Sequence, residues 1–368
     1  MKKVTILALH LGYGGIEKCI AALANSLVDT YKVEILAIYK LYDKPAFYID
    51  PKVHIRYLSK VVPNKNDFKY AVKRVNIFKI IKEAIKALNI LRIKRKVLID
   101  AIDSCDSDII ISTRDYTNKY LGEYRNNNVI AIGWEHNHPH GDKVIMKRLR
   151  NSCKYLDKLV VVSRDLKHIY SEDFKNNDIK CQVEYIPNFL EKLPKKINKL
   201  DNKNIISVGR LEPEKGFLDL VSVFKLIELK DGEVYLNLVG DGSQKDKIFK
   251  NIVDNNISRK VKMPGYLDFE ELNKLYEETS LYLMTSYTGS FGLVLIEAMS
   301  HGIPVIAFSC AEGAKELINN RNEHEMADRA VKLLNNPDKL KELGENARTT
   351  ALKYSKDEVK KMWIKLLG

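Results

Sequence analysis

Glu297 stands in Leu293-Val294-Leu295-Ile296-Glu297-Ala298-Met299, an apolar run long enough for a buried helix and broken by a single carboxylate. Burying an unpaired carboxylate is expensive, so this acid is expected to meet a hydrogen-bond donor, and a ligand hydroxyl would serve as well as a protein group. The residues before it are small, polar and Gly-rich, as suits a loop. Ser290 is placed to cap the helix, leaving the backbone N–H groups of Phe291, Gly292 and Leu293 turned toward whatever fills the loop. That arrangement suits a sugar or a phosphate. Gly14 and Gly15 form a second candidate, a tight turn where backbone can approach a diphosphate at a helix N-terminus, although the GxGxxG spacing is not met. His136, His138 and His140 alternate past an apolar run, but Pro139 spoils a regular strand and no second ligand cluster follows, so no metal site is expected.

The elements that must position these residues read as strands alternating with helices. Apolar strand runs are expected at residues 3–10, 33–39, 54–58, 108–112, 129–134, 159–163 and 183–187, then again at 204–208, 233–239, 261–266, 281–285 and 305–308. Such alternation makes doubly wound parallel sheets, whose ligands collect at the C-terminal ends of the strands. Thr113, Arg114 and Asp115 lie just past one such end. Asp106-Ser107-Asp108 spells DxD, a metal-nucleotide motif, yet it precedes its strand and falls on the opposite edge. A polar, lysine-rich stretch marks a linker at residues 190–203, between domains at 1–189 and 204–354. Residues 355–368 are expected as an amphipathic helix returning to the first domain. Residues 319–322 run straight into the next helix, so no further edge strand is expected after 305–308.

The totals fit a globular protein of two domains: 368 residues, 45% hydrophobic and 30% charged. No apolar run of about 18 residues is present and the start reads as a strand and a Gly turn, so a cytosolic chain without a leader is expected. The five cysteines are scattered and form no CxxC pair, which points to neither a disulfide framework nor a zinc site. The net charge of +13 is uneven, because residues 60–96 hold twelve Lys or Arg against only Asp67 and Glu83. Within that segment Val72, Val75, Phe78, Ile81, Ile85, Leu88 and Leu91 recur at helical spacing. The pattern fits an anionic membrane surface, or equally a charged, solvated face over a buried stripe. No nucleic-acid-binding module accompanies the charge, and nucleic acid is not an expected partner.

Residues 285–304 resemble the donor-site signature of the retaining family 4 glycosyltransferases of GT-B fold. There a Glu-x7-Glu pair brackets a Phe-Gly turn and is followed by Ala, Met, Gly and Pro. Glu297 matches the second acid, and Phe291, Gly292, Ala298, Met299, Gly302 and Pro304 match around it. The first acid is replaced by Gly289. Gly209, Arg210, Leu211, Lys215 and Gly216 match the family's Gly-Arg-Leu-x-x-x-Lys-Gly run, and Gly14, Gly15 and Glu17 its Gly-Gly-x-Glu. The resemblance implies two Rossmann-like α/β/α domains across a cleft, the nucleotide sugar held mainly by the second and the acceptor by the first. It implies that Arg210 and Lys215 hold the donor diphosphate, two cations doing what a bound metal does elsewhere, so neither metal nor other cofactor is expected. It further places Glu297 on the ribose, Tyr266 near the base and His136 near the reacting carbon of the sugar. Arg114 and His138 fall on the acceptor side.

The implied activity is transfer with retention from a UDP-linked sugar to a bacterial cell-surface polysaccharide precursor, a lipid-linked saccharide or a glycolipid. The chain would then work at the inner face of the plasma membrane. Gly289 opens a different reading, a catalytically silent subunit that binds nucleotide sugar. A sugar epimerase or a phosphorylase of the same fold is a third.

Overall fold

The computed structural model describes residues 1–287, 292–308, 316–318 and 322–368. The chain divides into two compact units, Met1–Ile186 with Met362–Gly368, and Pro187–Lys361. The first holds a parallel sheet of seven strands, β1 (Lys3–Ala8), β2 (Lys32–Tyr39), β3 (His54–Ser59), β4 (Ile109–Ser112), β5 (Ile130–Glu135), β6 (Lys158–Val161) and β7 (Gln182–Tyr185). Their spatial order is β3-β2-β1-β4-β5-β6-β7. The second holds β8 (Asn204–Val208), β9 (Tyr235–Val239), β10 (Val261–Gly265), β11 (Leu281–Met284), β12 (Val305–Phe308) and β13 (Glu316–Ile318), in the order β10-β9-β8-β11-β12-β13. Both sheets have the same topology, winding outward from a central strand and reversing beside it. A crevice opens at such a reversal, outside the strand C-termini. It lies between β1 and β4 in the first unit and between β8 and β11 in the second.

The inner strands are mostly apolar because helices cover both faces. Ile109, Ile110, Ile111, Leu159, Val160 and Val161 are all fully buried, as are Leu236, Leu238 and Leu283. The edge strand β13 corrects the sequence expectation: Ile306, Ala307 and Phe308 pair with Glu316, Leu317 and Ile318. Three residues are too few to display a period of two, so the pairing leaves no trace in the hydrophobic pattern. Residues 190–203, expected as a linker, are strapped to the second unit. Asn198 donates through Nδ2 to the Tyr276 carbonyl at 2.7 Å and through its backbone to the His301 carbonyl at 2.9 Å, and Arg348 donates to the Pro194 carbonyl at 3.0 Å.

The helix Lys356–Leu367 brings Trp363 into the core of the first unit, where it is fully buried with its ring 5.1 Å from that of Trp134. Asp106 and Asp108 sit at the N-terminal end of β4, both bonded to Lys3, on the edge opposite the crevice.

The basic segment folds as two helices, Lys65–Lys73 and Ile77–Asp103. The long helix turns Ile90, Leu98, Ala101 and Ile102 inward. The stripe from Val72 to Leu91 is not buried, with Phe78 88% exposed and Ile81, Ile85, Leu88 and Leu91 each more than half exposed. Helical spacing reports that one face is apolar and says nothing of what covers it. No helix among the described residues is long and apolar enough to cross a membrane.

Candidate functional site: two strand-end edges

In the second unit, three loops leave the C-terminal ends of β8, β9 and β11, and main-chain contacts weld them together. Gly240 has φ +140°, and a Cβ there would strike the Gly209 carbonyl. A Cβ on Gly242 would meet the Leu211 backbone, and one on Gly216, at φ +65°, the Thr285 carbonyl. Each is therefore a glycine for a steric reason. Hydrogen bonds follow the same seams. Leu211 N donates to the Asp241 carbonyl at 2.9 Å, and Gln244 N returns to the Leu211 carbonyl at 2.9 Å. Glu212 accepts from Ser243 through both N (3.0 Å) and Oγ (2.6 Å), which hold its carboxyl below the usual range. Thr285 Oγ1 donates to the Gly216 carbonyl at 2.8 Å, Tyr287 N to the Glu214 carbonyl at 2.9 Å, and the Tyr287 hydroxyl to Asp219 at 2.9 Å.

Arg210 stands out of this weld, its side chain 70% exposed and held by Glu214 at 2.9 Å. One terminal nitrogen is engaged there, and a guanidinium carries five N–H donors in all, enough to take phosphate oxygens as well. Lys215 follows half-buried at the end of the turn Pro213–Lys215. Beneath Gly209, the buried Tyr282 hydroxyl accepts from Val208 N (3.1 Å) and donates to Val208 O (3.0 Å), bracing the end of β8. Glu297 is half-buried on the helix Leu293–Ser300, and its charge helps raise the pKa values of Tyr276 and Tyr282 above the ordinary tyrosine value, burial being the larger cause. That helix is preceded by Gly292 at φ +69°, which corrects the expectation that Ser290 is its N-cap. Gly289, Ser290 and Phe291 lie outside the described residues. Leu293 is the first helical residue, so its N–H is one of those that an α-helix leaves without an internal partner. Tyr266 follows β10 and is 64% exposed.

The first unit's edge is made of side chains instead. Glu17, only 4% exposed, accepts from Arg114 at 2.9 Å, and its carboxylate lies against Gly14, where a Cβ would collide with it. Gly14 thus makes room for the protein's own acid, whereas the space around Gly15 is open. His10 Nδ1 accepts from Gly12 N at 3.1 Å, and burial pulls its pKa down despite Glu17. Thr113 Oγ1 donates to the Leu7 carbonyl at 2.8 Å, closing β4 onto β1. His136, at the end of β5, is buried beside Trp134 with ring centroids 4.4 Å apart. Burial, helped by the Arg114 charge, holds its pKa down to about 3, so the imidazole is neutral near pH 7. Glu135, next to it, is pushed above the usual carboxylate range by burial, against the pull of a bond from Asn137 N at 2.7 Å.

His138 has both ring nitrogens engaged, Nδ1 accepting from His140 N at 2.9 Å and Nε2 lying 2.8 Å from Asp165. It braces the loop and is poorly placed to take a proton from a substrate. Sequence reasoning singled out neither Lys94 nor Tyr116, which lie beside Arg114 on this edge. Lys94 is hidden among twelve cations, and nothing in its spacing sets it apart.

Residues 189–350 match the family described as Glycosyl transferases group 1. An uncharacterized glycosyltransferase of Haemophilus influenzae is 27% identical over the full length of both chains. The poly(ribitol-phosphate) alpha-N-acetylglucosaminyltransferase of Staphylococcus aureus is 35% identical over 44% of this chain and 34% of its own length. Among solved structures, a variant of S. aureus TarM in complex with fondaparinux, alpha-GlcNAc-glycerol and UDP aligns over 100% of both chains with a TM-score of 0.76 and 19% identity, a likeness of fold. By these matches the chain has the GT-B fold, and its residues 189–350, less than half of its length, resemble the glycosyl transferases group 1 family.

Proposed function

We propose that this protein is a retaining, metal-independent glycosyltransferase that moves a sugar from a UDP-linked donor to a cell-envelope saccharide, glycolipid or polyol-phosphate acceptor. The observation that carries the reading is the welded loop set of the second unit, with Arg210 and Lys215 on it and Glu297 on the following helix. In this mechanism the acceptor hydroxyl attacks the anomeric carbon from the face that the diphosphate leaves. The C–O bond to phosphate breaks, and the departing phosphate oxygen takes the hydroxyl proton. Arg210 and Lys215 stabilise the charge that grows on the diphosphate, so no bound cation is needed. Glu297 accepts from the ribose hydroxyls. His136, being neutral, serves as a hydrogen-bond partner to a sugar hydroxyl rather than as a charged acid. The name of the S. aureus relative supports retention, since an alpha product is what retention gives from an α-linked nucleotide sugar. Incubation with a panel of UDP-sugars and acceptors, followed by NMR of the product's anomeric coupling, tests the reaction. A β-linked product from an α-linked donor, or dependence on added divalent cation, would overturn it.

A second reading is a silent subunit that binds the donor without transfer, favoured by Gly289 in place of an acid. Gly289→Glu separates the two, because a large gain in transfer would mean that the native loop is crippled.

The basic helix is the membrane contact in this proposal, with the anionic inner leaflet as its occupant. Its exposed stripe of Phe78, Ile81, Ile85 and Leu88 lies among Lys79, Lys82 and Lys86, and a second copy of the chain would bring the same excess positive charge against it. Burying one such apolar side chain is worth about 1.5–3 kcal/mol, and each lysine near an anionic surface about 1 kcal/mol. Insertion of the four side chains therefore contributes more than the three charges. Neutralising the three lysines should weaken partitioning into phosphatidylserine vesicles at least about tenfold, and salt should weaken but not abolish it. Partitioning unchanged by the substitutions removes the membrane claim.

A further inference from the structure

Between residues 60 and 96 eleven of the twelve cationic side chains are exposed, and Lys94 alone is not. Its ammonium lies 3.4 Å from the centroid of the Tyr116 ring and makes no ion pair or hydrogen bond to any described residue. A desolvated ammonium over an aromatic face is held by as much as about 2 kcal/mol, which keeps Lys94 in place without neutralising it. The Tyr116 hydroxyl is buried and has no hydrogen-bond partner among the described residues. Arg114 gives one terminal nitrogen to Glu17, while its Nε is buried without a partner. The nearby acids are already committed. Glu17 is bonded to Arg114, and Asp115 is bonded to Arg148 and accepts from Tyr116 N at 2.8 Å. Burial lowers the Lys94 pKa against the pull of the Asp115 charge, with the Arg114 charge adding to the lowering, and burial raises that of Tyr116, so the hydroxyl keeps its proton.

Two cations and a phenol O–H, on β4's C-terminal end and on the helices either side of it, thus offer donors that no acceptor among the described residues uses. A phosphate group meets all three needs. Its oxygens accept from every side, it carries charge enough for a point-like ammonium and a guanidinium fork, and it presents no proton to compete with the phenol. We propose that Lys94, Arg114 and Tyr116 form a subsite for a phosphate group of the acceptor. The assignment rests on the glycosyl-transfer reading for the word acceptor, and on the first unit alone for its geometry. The phosphate is either a diester within a polyol-phosphate chain or the diphosphate of a lipid carrier.

Binding of a glycerol phosphate dimer, geranyl diphosphate and glycerol is measured by phosphorus NMR and calorimetry, on the full chain kept saturated with UDP. The dimer or geranyl diphosphate should bind and glycerol should not, the tighter of the two naming the source. Lys94→Gln should weaken that binding at least about tenfold and Tyr116→Phe about threefold, with Lys94→Arg restoring most of it. Equal binding to parent and Lys94→Gln, with the fold confirmed by circular dichroism, overturns the subsite. So does glycerol binding as well as the phosphates. Failure of UDP to bind at all would instead undo the donor reading, leaving the phosphate measurement in buffer to decide the subsite.

Discussion

At the edge of the second sheet Gly216, Gly240 and Gly242 lack side chains because main-chain atoms of a neighbouring loop fill the space. At the equivalent edge of the first sheet the space is filled by side chains, Glu17, Arg114, Lys94 and Tyr116, with Gly14 yielding room to a carboxylate and Gly12 to the Tyr42 ring. The two edges share one topology and differ in what builds them. Backbone welded to backbone fixes a shape that hardly any single substitution can adjust without strain, and suits a ligand part that stays the same, such as a nucleoside diphosphate. Side chains can be exchanged one at a time. On the proposed reading they serve the acceptor.

The contrast breaks most readily at Gly240. Gly240→Val would drive a Cβ into the Gly209 carbonyl at a φ that valine rarely adopts, and UDP affinity should fall about a hundredfold or more by calorimetry. Hydrogen exchange in the first unit should stay at the parent level, and near-parent affinity would mean that the weld is dispensable. A smaller effect is expected at Arg210, the guanidinium that projects from it. Arg210→Ala should cut turnover more than about tenfold through lost phosphate stabilisation, and activity close to the parent's would remove that role.

The smallest effect concerns the first unit's stability. His136 is held near pKa 3 when folded, so the unfolded chain binds the extra proton below about pH 6.5 and stability is lost as pH falls from there toward 3. Between pH 6.5 and 5 that loss is roughly 2 kcal/mol. His301, held down to about 4 by burial and Arg348, adds a similar slope in the second unit. His136→Gln should therefore reduce, without erasing, the drop in Tm between pH 7 and pH 5. An unchanged drop would mean that the imidazole is already protonated in the folded chain.

Much of this was legible in the residues. Continuous apolar runs gave the buried strands, because a parallel sheet covered on both faces has no polar side to show. Gly209, Arg210, Lys215 and Gly216 stand out through the run they share with the family that the chain resembles, since a turn that joins three loops constrains several neighbours at once. Other features left no mark. The pairing of Gly240 with Gly209 is a contact across thirty residues of chain, which local spacing does not encode. Lys94 differs from its basic neighbours only in what lies above it. The stripe on the long helix has the same period whether a sheet or a solvent lies beyond, and Gly292 displaced Ser290 as the helix start because a left-handed residue can end a loop where a capping hydroxyl was expected.

Hydrogen exchange with and without UDP tests most directly the claim that the second unit's welded edge is the donor site. Slowed exchange is predicted in residues 209–217, 240–245 and 293–297, with residues 10–17 and 113–117 unchanged. Protection confined to the latter, or absent from the former at saturating UDP, would contradict it.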